Sequence, residues 1–233
     1  MANNGNAFLS FGTAFNPLSV TGLVMWYDAN DSGTITKDGS NRVSAWNDKS
    51  LVGNNLAQGT GADQPLWVDS IQNGKPIIRF DGVSEFMADL TTSTYSQPNT
   101  LFFAGTSPNA DGESMFDGGG STRNLLNRQG TNTYRIYAGT GATGGTASTS
   151  FQIFRVLFSN GSGELDINGS VILTGQTINT FGMANPIIGA FDSSGPSGFG
   201  DIDVCEILFY NASLSSGDKT AVLNYLNSKW AIY

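Results

Sequence analysis

Short runs of apolar, β-branched and aromatic residues recur along the chain, and clusters of Gly, Asn, Asp and Ser separate them. This spacing is typical of strands joined by tight turns. Asn168-Gly169 is a hairpin-turn dipeptide and splits one of the runs into two short paired strands. The pattern predicts an all-β fold, a two-sheet antiparallel sandwich of the jelly-roll type. The predicted strands are Leu23–Tyr27, Pro76–Phe80, Thr100–Ala104, Tyr134–Tyr137, Phe151–Phe158, Glu164–Leu173, Pro186–Ile188 and Ile202–Tyr210.

One segment near the C-terminus has the period of a helix. Ser215 followed three residues later by Asp218 is a capping-box pattern, which satisfies backbone N–H groups at a helix start. Apolar residues then recur at three- and four-residue spacing and form one stripe. The sequence therefore predicts one short C-terminal α-helix that packs on the sandwich. The stripe consists of Ala221, Val222, Tyr225, Leu226 and Trp230.

The first twenty residues differ from the rest, so we divide the chain into an N-terminal arm, residues 1–20, and a sandwich domain, residues 21–233. The arm is rich in Asn but carries several large apolar side chains. One interpretation is a first strand with an ordinary loose end. The other is a docking arm that buries these side chains on a neighbouring subunit. They are Phe8, Leu9, Phe11 and Phe15.

Two stretches of low complexity are predicted to be exposed loops. Thr106–Glu113 and Ala138–Ser150 are dominated by small and polar residues, the second by Gly and Thr. Such density of turn-forming residues does not supply a core.

Composition narrows the chemistry that the domain can carry. The chain has 233 residues, 11 basic against 19 acidic side chains, a net charge of -8, no histidine and one cysteine. Without histidine, Ser-His-Asp catalysis, Cys-His catalysis and imidazole metal sites are excluded. A single cysteine excludes an intrachain disulfide and a zinc-thiolate cluster. The acidic balance, without a basic stripe, argues against nucleic acid and anionic membranes as partners.

The surface composition bears on location. Only 13% of the residues are charged and 30 are glycine, so Asn, Ser, Thr and Gly must provide most of the polar surface. This balance is common in extracellular and virion-surface β-proteins. The N-terminal residues show neither a basic region nor a continuous apolar region, so we expect no secretion signal and synthesis in the host cytoplasm. No stretch approaches the roughly 20 apolar residues of a membrane span.

Several short motifs follow one another in a recognisable order. They are Leu23-Val24-Met25-Trp26-Tyr27-Asp28, Trp46-Asn47-Asp48-Lys49-Ser50, Arg79-Phe80-Asp81-Gly82, Ile207-Leu208-Phe209-Tyr210-Asn211 and Tyr225-Leu226-Asn227-Ser228-Lys229-Trp230. This order, over residues 20–233, resembles that of the laminin-G-like branch of the concanavalin A-like lectin/glucanase superfamily, of the kind found in tailed-phage structural proteins. The resemblance implies a jelly-roll sandwich and is far less specific for function.

The chain departs from the family pattern at two places. Leu51 stands where the family has a glycine after the Asp-Lys-Ser run, which indicates a locally altered loop. Glu85 and Phe86 occupy the place of an acidic-acidic-aromatic run after the Phe-Asp-Gly turn.

The superfamily includes laminarinase-type glycoside hydrolases, whose chemistry needs two carboxyls about 5–5.5 Å apart. Glu164 and Asp166 match the first two acids of their signature, but Asn168 or Gly169 stands where the acid/base is needed. An amide cannot donate the proton. A polar outer face beside a hairpin turn explains this segment better.

A second carboxylate series, Asp201, Asp203 and Glu206, has the required spacing. In a regular strand Asp201 and Asp203 share one face while Glu206 lies on the other, so catalysis would need a β-bulge. From both series we predict no catalytic residues and no enzymatic activity.

One acidic loop partly resembles a calcium-binding loop. Asp28, Asn30 and Ser32 imitate the first half of an EF-hand loop, but Gly39 replaces the bidentate glutamate, so an Asx-stabilised turn is favoured. We predict no metal site and no cofactor. The resemblance implies that one calcium ion can be bound through loop aspartates, with ligands unassigned.

Aromatic side chains and the cysteine are predicted to serve packing. At least three of Trp26, Trp46, Trp67 and Trp230 are expected in the core. Tyr134 and Tyr137 face opposite sides of a strand and do not form one platform. Cys205 lies in an apolar strand and is expected to be an inert buried thiol.

The hypothesis from sequence is a non-enzymatic structural protein on the surface of a tailed-phage virion, a capsid decoration or fibre-type protein. It attaches by subunit packing and by the N-terminal arm, with other virion proteins as partners and as a homo-oligomer. The alternative is a carbohydrate-binding adhesin or receptor-binding lectin-like module that recognises a cell-surface glycan, with calcium dependence left open. A glycoside hydrolase acting through Asp201 and Glu206 ranks behind both.

Overall fold

The computed structural model describes residues 15–89, 91, 93–108, 113–119, 122–130, 132–191 and 195–233. Within them the chain forms short strands, three single-turn 3-10 helices (Pro17–Ser19, Ser32–Thr34 and Gly61–Asp63) and the helix α1 (Ser216–Trp230). The strands are β1 (Leu23–Asp28), β2 (Ile35–Lys37), β3 (Val43–Trp46), β4 (Leu56–Ala57), β5 (Leu66–Gln72), β6 (Lys75–Asp81), β7 (Met87–Ala88), β8 (Thr94–Tyr95), β9 (Asn99–Thr106), β10 (Ser114–Asp117), β11 (Leu125–Gln129), β12 (Thr133–Tyr137), β13 (Gly141–Gly144), β14 (Gln152–Ser159), β15 (Ser162–Ile167), β16 (Ser170–Thr177), β17 (Met183–Ala184), β18 (Ile187–Ile188) and β19 (Asp201–Tyr210).

These strands form two large antiparallel sheets. Sheet A has the order β16-β15-β14-β9-β19-β6-β5, and β1 pairs with the C-terminal part of β19. Sheet B has the order β13-β12-β11-β10-β18-β7-β4-β3-β2, and β8 pairs with β17 apart from both. Aromatic contacts fill the space between the sheets: Phe209 stacks on Phe116 at 5.8 Å, and Phe154 meets Tyr134 edge-on at 4.7 Å. The predicted fold class, a two-sheet antiparallel sandwich with one C-terminal helix, is confirmed.

A β-bulge in β19 decides which carboxyl groups share a face. The pairing of β19 with β9 shifts register between Val204 and Glu206. Phe209 faces sheet B, whereas Glu206 bonds to side chains of α1 on the outer face of sheet A. Asp203 lies on that outer face as well, bound to Arg79. The β-bulge thus brings Asp203 and Glu206, which a regular strand would place on opposite faces, to the outer face of sheet A.

The helix α1 lies across the outer face of sheet A. Ser215 is its N-cap, since the Ser215 hydroxyl accepts the Asp218 backbone N–H at 3.1 Å and donates to Oδ2 of Asp218 at 2.7 Å, which confirms the predicted helix start. Val222, Leu226 and Trp230 form its buried side. Within the described ranges, no helix combines the length and apolar character that crossing a bilayer requires.

The hairpin prediction is confirmed, and one loop prediction is wrong in part. Asn168 and Gly169 both have positive φ and connect β15 to β16. Within the predicted loop Ala138–Ser150, however, the residues of β13 pair with β12 and form the edge of sheet B. Small side chains are tolerated there because an edge strand needs only backbone hydrogen bonds on one side.

Candidate functional site

The outer face of sheet B, away from the core, carries a polar and aromatic cluster on its β10–β13 side. In β12, Tyr134 and Ile136 face the interior and are fully buried, so Arg135 and Tyr137 point outward. Asn127 of β11 lies directly opposite Arg135. We call the set Asp117, Arg123, Asn127, Arg135 and Tyr137 the arginine cluster.

One arginine of the cluster is held by a buried carboxylate. Asp117 at the end of β10 has no exposed surface and accepts two bonds from Arg123, from Nε at 3.0 Å and from Nη2 at 2.5 Å. The bidentate geometry fixes the plane of the guanidinium. The guanidinium carbon of Arg123 lies 5.6 Å from the centroid of the Tyr137 ring and 5.7 Å from the centroid of the Phe191 ring.

The second arginine has a weaker protein partner. Arg135 Nε donates to Oδ1 of Asn127 at 3.0 Å, and its guanidinium carbon lies 5.6 Å from the centroid of the Tyr137 ring. Burial lowers the pKa of Arg135 below its ordinary value, and the like charge of Arg123 lowers it further. Arg135 is thus a partly desolvated cation whose nearest hydrogen-bond acceptor is neutral.

The edge strand next to this pair carries small and exposed residues. The residues of β13 opposite Tyr137 and Arg135 are Gly141 and Thr143, and both are exposed. A Cβ at Gly141 would already lie 3.1 Å from Cδ of Arg135. The outer face of β12 therefore opens toward solvent at its glycine-rich neighbour.

The opposite side of the molecule holds a buried polar network between sheet A and α1. Oε1 of Glu206 accepts the Trp26 indole N–H at 2.7 Å and the Tyr225 hydroxyl at 2.8 Å. Oε2 accepts Lys229 Nζ and the Trp230 indole N–H, both at 2.7 Å. Burial raises the pKa of Glu206, the charge of Asp28 adds to this, and Lys229 opposes it. The four donors make Glu206 a structural anchor of the helix.

Two lysines extend this network to the loop after β1. Asp28 binds Lys49 at 2.8 Å and Lys229 at 2.7 Å, and Lys49 also binds Asp31 at 2.8 Å. Oδ1 of Asp28 also accepts the Asn30 backbone N–H at 3.0 Å, which is the favoured Asx turn. The EF-hand-like segment is thus occupied by ammonium groups, and no set of three metal-ligating side chains occurs among the residues described.

Two adjoining cavities, of about 540 and 530 Å³, lie next to this network. Phe15 and Tyr225 line both, and their rings are 5.7 Å apart. Of the predicted docking-arm residues, Phe8, Leu9 and Phe11 lie outside the described residues. Phe15 is described, and it packs against α1.

The carboxylate series picked out by sequence are engaged in ion pairs. Arg155 binds Asp166 and Glu164, with contacts of 2.6 and 2.7 Å. Asp203 receives both Nε and Nη2 of Arg79 at 2.7 Å. Asp201 lies opposite Asp81 at the start of β19, and Glu206 is fully buried. None of these arrangements brings together the proposed pair Asp201 and Glu206.

Glu85, at the second of the two places where the chain departs from the family pattern, forms a separate pH-sensitive contact. It binds Arg42 at 3.1 Å, and burial raises its pKa to about 7, helped by the charge of Asp81. A carboxyl with a raised folded-state pKa stabilises the fold fully below its unfolded pKa and loses that contribution as the pH rises through about 7.

We therefore expect the free energy of unfolding of the unmodified protein to fall relative to that of Glu85→Gln between pH 4.5 and 8, by on the order of 2 kcal/mol. Urea unfolding of both proteins across this range measures the difference. Equal slopes for the two proteins would show that Glu85 does not titrate there.

Sequence reasoning missed the arginine cluster, although a signal existed. The alternation Tyr134-Arg135-Ile136-Tyr137 predicts Arg135 and Tyr137 on one face, and the separation of Tyr134 from Tyr137 is confirmed. The contribution of Arg123 comes from the segment between β10 and β11, which only the fold places beside β12. Trp46 and Trp230 are fully buried and Trp26 nearly so, and Cys205 is buried, as predicted.

Comparison with known proteins shows a shared fold at low identity. Neither a family model nor a curated protein matches the sequence. Trypanosoma rangeli sialidase in complex with sialic acid is 15% identical with a TM-score of 0.61, over 89% of this chain and 33% of that chain. The receptor-binding domain of botulinum neurotoxin type G is 7% identical with a TM-score of 0.61, over 89% of this chain and 52% of that chain.

An arabinofuranosidase complexed with arabinofuranosyl-alpha-1,2-xylobiose is 12% identical with a TM-score of 0.62, over 90% of this chain and 60% of that chain. The chain thus spans between a third and three fifths of the length of these proteins.

These likenesses correct one prediction. We predicted no enzymatic activity from incomplete carboxylate motifs, and this is wrong, because the fold recurs in a sialidase and in an arabinofuranosidase. Missing one family's signature does not exclude catalysis for a fold that several kinds of enzyme contain. The chain shares a β-sandwich fold with these proteins, and this fold is compatible with the concanavalin A-like resemblance.

Proposed function

We propose that the chain is a carbohydrate-binding module that takes a glycan on the outer face of sheet B. The observation that carries this proposal is the arginine cluster, in which one partly buried tyrosine ring has two guanidinium groups at 5.6 Å. Aromatic rings stack on the apolar faces of sugars, and planar guanidinium groups donate paired hydrogen bonds to sugar oxygens. The fold shared with a sialidase and an arabinofuranosidase supports the proposal.

The cluster is built to hold a ligand in a fixed orientation. Arg123 is fixed by the buried Asp117, Arg135 by Asn127, and Tyr137 by its place in β12. Rigid donors beside an aromatic platform lose little conformational entropy when a ligand binds. The exposed small side chains of β13 leave room for a sugar ring.

Replacing Tyr137 by alanine is expected to weaken glycan binding about tenfold, since the stacking surface is lost while both arginines remain. A glycan array identifies ligands of the unmodified protein, and calorimetry with the best ligand compares the variants. Tyr233→Ala is the matched control, because Tyr233 is also a partly exposed tyrosine but lies beside Gly169 at the turn between β15 and β16.

The array is run with and without a chelator, so that loss of binding on chelation would reveal a calcium requirement. Analysis of the incubated sugars for cleaved products tests hydrolysis in the same samples. Absence of binding to every glycan, or binding that Tyr137→Ala leaves unchanged, would remove this site from consideration.

The packing of Phe15 supports a second candidate, attachment to a virion through the N-terminal arm. Phe15 lies against Tyr225 and lines both cavities beside α1, so the described part of the chain begins at an apolar surface. We propose that Phe8, Leu9 and Phe11 of one copy bind this surface of another copy, which would link homo-oligomers on a phage particle. The phage setting itself is a hypothesis from sequence.

Deletion of residues 1–14 tests the arm without touching the fold, because Pro17 and Val20 are buried and must be kept. Sedimentation of the full chain is expected to show a concentration-dependent oligomer that the deletion converts to a monomer. Val83→Ala, at a side chain 72% exposed, serves as the control for loss of apolar surface. A monomeric full chain would contradict self-association through the arm.

A further inference from the structure

We infer that the glycan bound on sheet B carries a carboxylate, and that Arg135 is the residue that binds it. This inference rests on the proposed glycan-binding function and specifies the class of sugar, such as a uronic or sialic acid. It follows from three observations on the arginine cluster: the hydrogen bonds of Arg135, the charges around Arg135 and the side chains next to it.

The hydrogen bonds leave one edge of Arg135 available. Its Nε donates to Asn127 at 3.0 Å, and within the described part of the chain no oxygen accepts a hydrogen bond from Nη1 or Nη2. Asn127 in turn donates its amide to the backbone oxygen of Arg128 at 2.8 Å, so its orientation is fixed. The two Nη groups can therefore donate in parallel to a carboxylate, the geometry that this fork fits best.

The charges favour an anion at the same place. Among the described residues of the cluster, one carboxylate, Asp117, accompanies two guanidinium groups, and it is bonded to Arg123. The whole chain has a net charge of -8, so two arginines beside one tyrosine ring, Arg135 of β12 and Arg123 of the segment before β11, are a local exception. A desolvated cation whose fixed partner is a neutral amide gains most from a ligand that brings the missing negative charge.

The neighbouring groups fit the rest of such a sugar. Tyr137 lies two residues from Arg135 on the same face, so its ring offers a stacking surface next to the carboxylate position. Thr143, exposed and opposite Arg135 on β13, adds a hydroxyl. A carboxylated sugar can thus bind through its charge and through one ring face at once.

The test uses sugar pairs in which the carboxylate is replaced by its neutral methyl ester, measured by calorimetry at low salt: trigalacturonate with its methyl ester, and sialyllactose with its methyl ester. We expect the unmodified protein to bind at least one acidic member about tenfold more tightly than its neutral partner. Arg135→Gln is expected to remove this preference while neutral affinity stays within about twofold. Arg135→Lys, which keeps the charge but not the fork, is expected to retain part of it.

Lys37→Gln is the matched control, because it removes one positive charge from β2 at the far edge of the same sheet. Thermal unfolding confirms that each variant is folded, and Arg135→Lys carries the test if Arg135→Gln is not. Equal affinity for acidic and neutral members, or an acid preference that survives Arg135→Gln, overturns the inference but leaves the glycan site intact. Failure of every sugar on the array and in calorimetry overturns both.

Discussion

Replacing Glu206 by leucine is expected to lower the free energy of unfolding by about 3–5 kcal/mol. The loss arises from the groups that remain: two indole N–H groups and a tyrosine hydroxyl would face an apolar side chain in place of their carboxylate acceptor, and Lys229 would keep Asp28 but lose Glu206. Three of these donors belong to α1, so the helix would lose its main polar attachment to sheet A. Urea unfolding followed by circular dichroism measures the change.

Glu206→Gln separates charge from shape. The amide keeps one acceptor oxygen but turns an NH₂ toward existing donors, so we expect a cost of about 2–3 kcal/mol, smaller than that of leucine. Glu164→Gln is the control, because Glu164 also forms an ion pair, with Arg155, but lies at a partly exposed position. A cost below about 1 kcal/mol for Glu206→Leu would show that the network does not hold the helix.

Gly105→Ala is the second substitution with a large expected effect, about 3 kcal/mol or more. Gly105 pairs with Val204 at the bulge of β19. A Cβ there would lie well inside van der Waals contact of the Asp203 carbonyl oxygen and 2.7 Å from Cε1 of Phe103. The first clash is with backbone, which cannot move without breaking the pairing of β9 with β19.

Gly39→Ala provides the comparison, because nothing lies within 4 Å of a Cβ at Gly39. Its cost is expected to stay within about 0.5 kcal/mol. Thermal and urea unfolding of both variants give the two values. Similar stability of Gly105→Ala and the unmodified protein would mean that the β9–β19 ladder adjusts at the bulge.

The fold class could be predicted because the pattern, the turns and the cap are local. Asn168-Gly169 and the capping pair Ser215 and Asp218 act within a few residues, and each appears where it was predicted. The bulge at β19 could not be predicted, because it depends on Gly105 of another strand. Strand β13 was predicted as loop since its glycines give no periodic signal, and only pairing with β12 orders them.

The candidate site was less accessible from sequence than the fold. The carboxylates with catalytic spacing in the sequence form ion pairs with arginines such as Arg79 and Arg155. Arg135 has an ordinary sequence context, and its character comes from partial burial and from Arg123 reaching across from another segment. Such electrostatic effects depend on three-dimensional proximity, which periodicity does not report.

The sandwich is two-sided, and this has a consequence for how the molecule can be displayed. Phe15 and α1 cover the outside of sheet A, whereas Arg135 and Tyr137 lie on the outside of sheet B. If the chain is attached to a support through the segment before Phe15, the outer face of sheet A lies toward the support and the outer face of sheet B faces the surroundings. Many copies on one support would present the proposed glycan-binding face together, and weak single contacts would add up to firm adhesion.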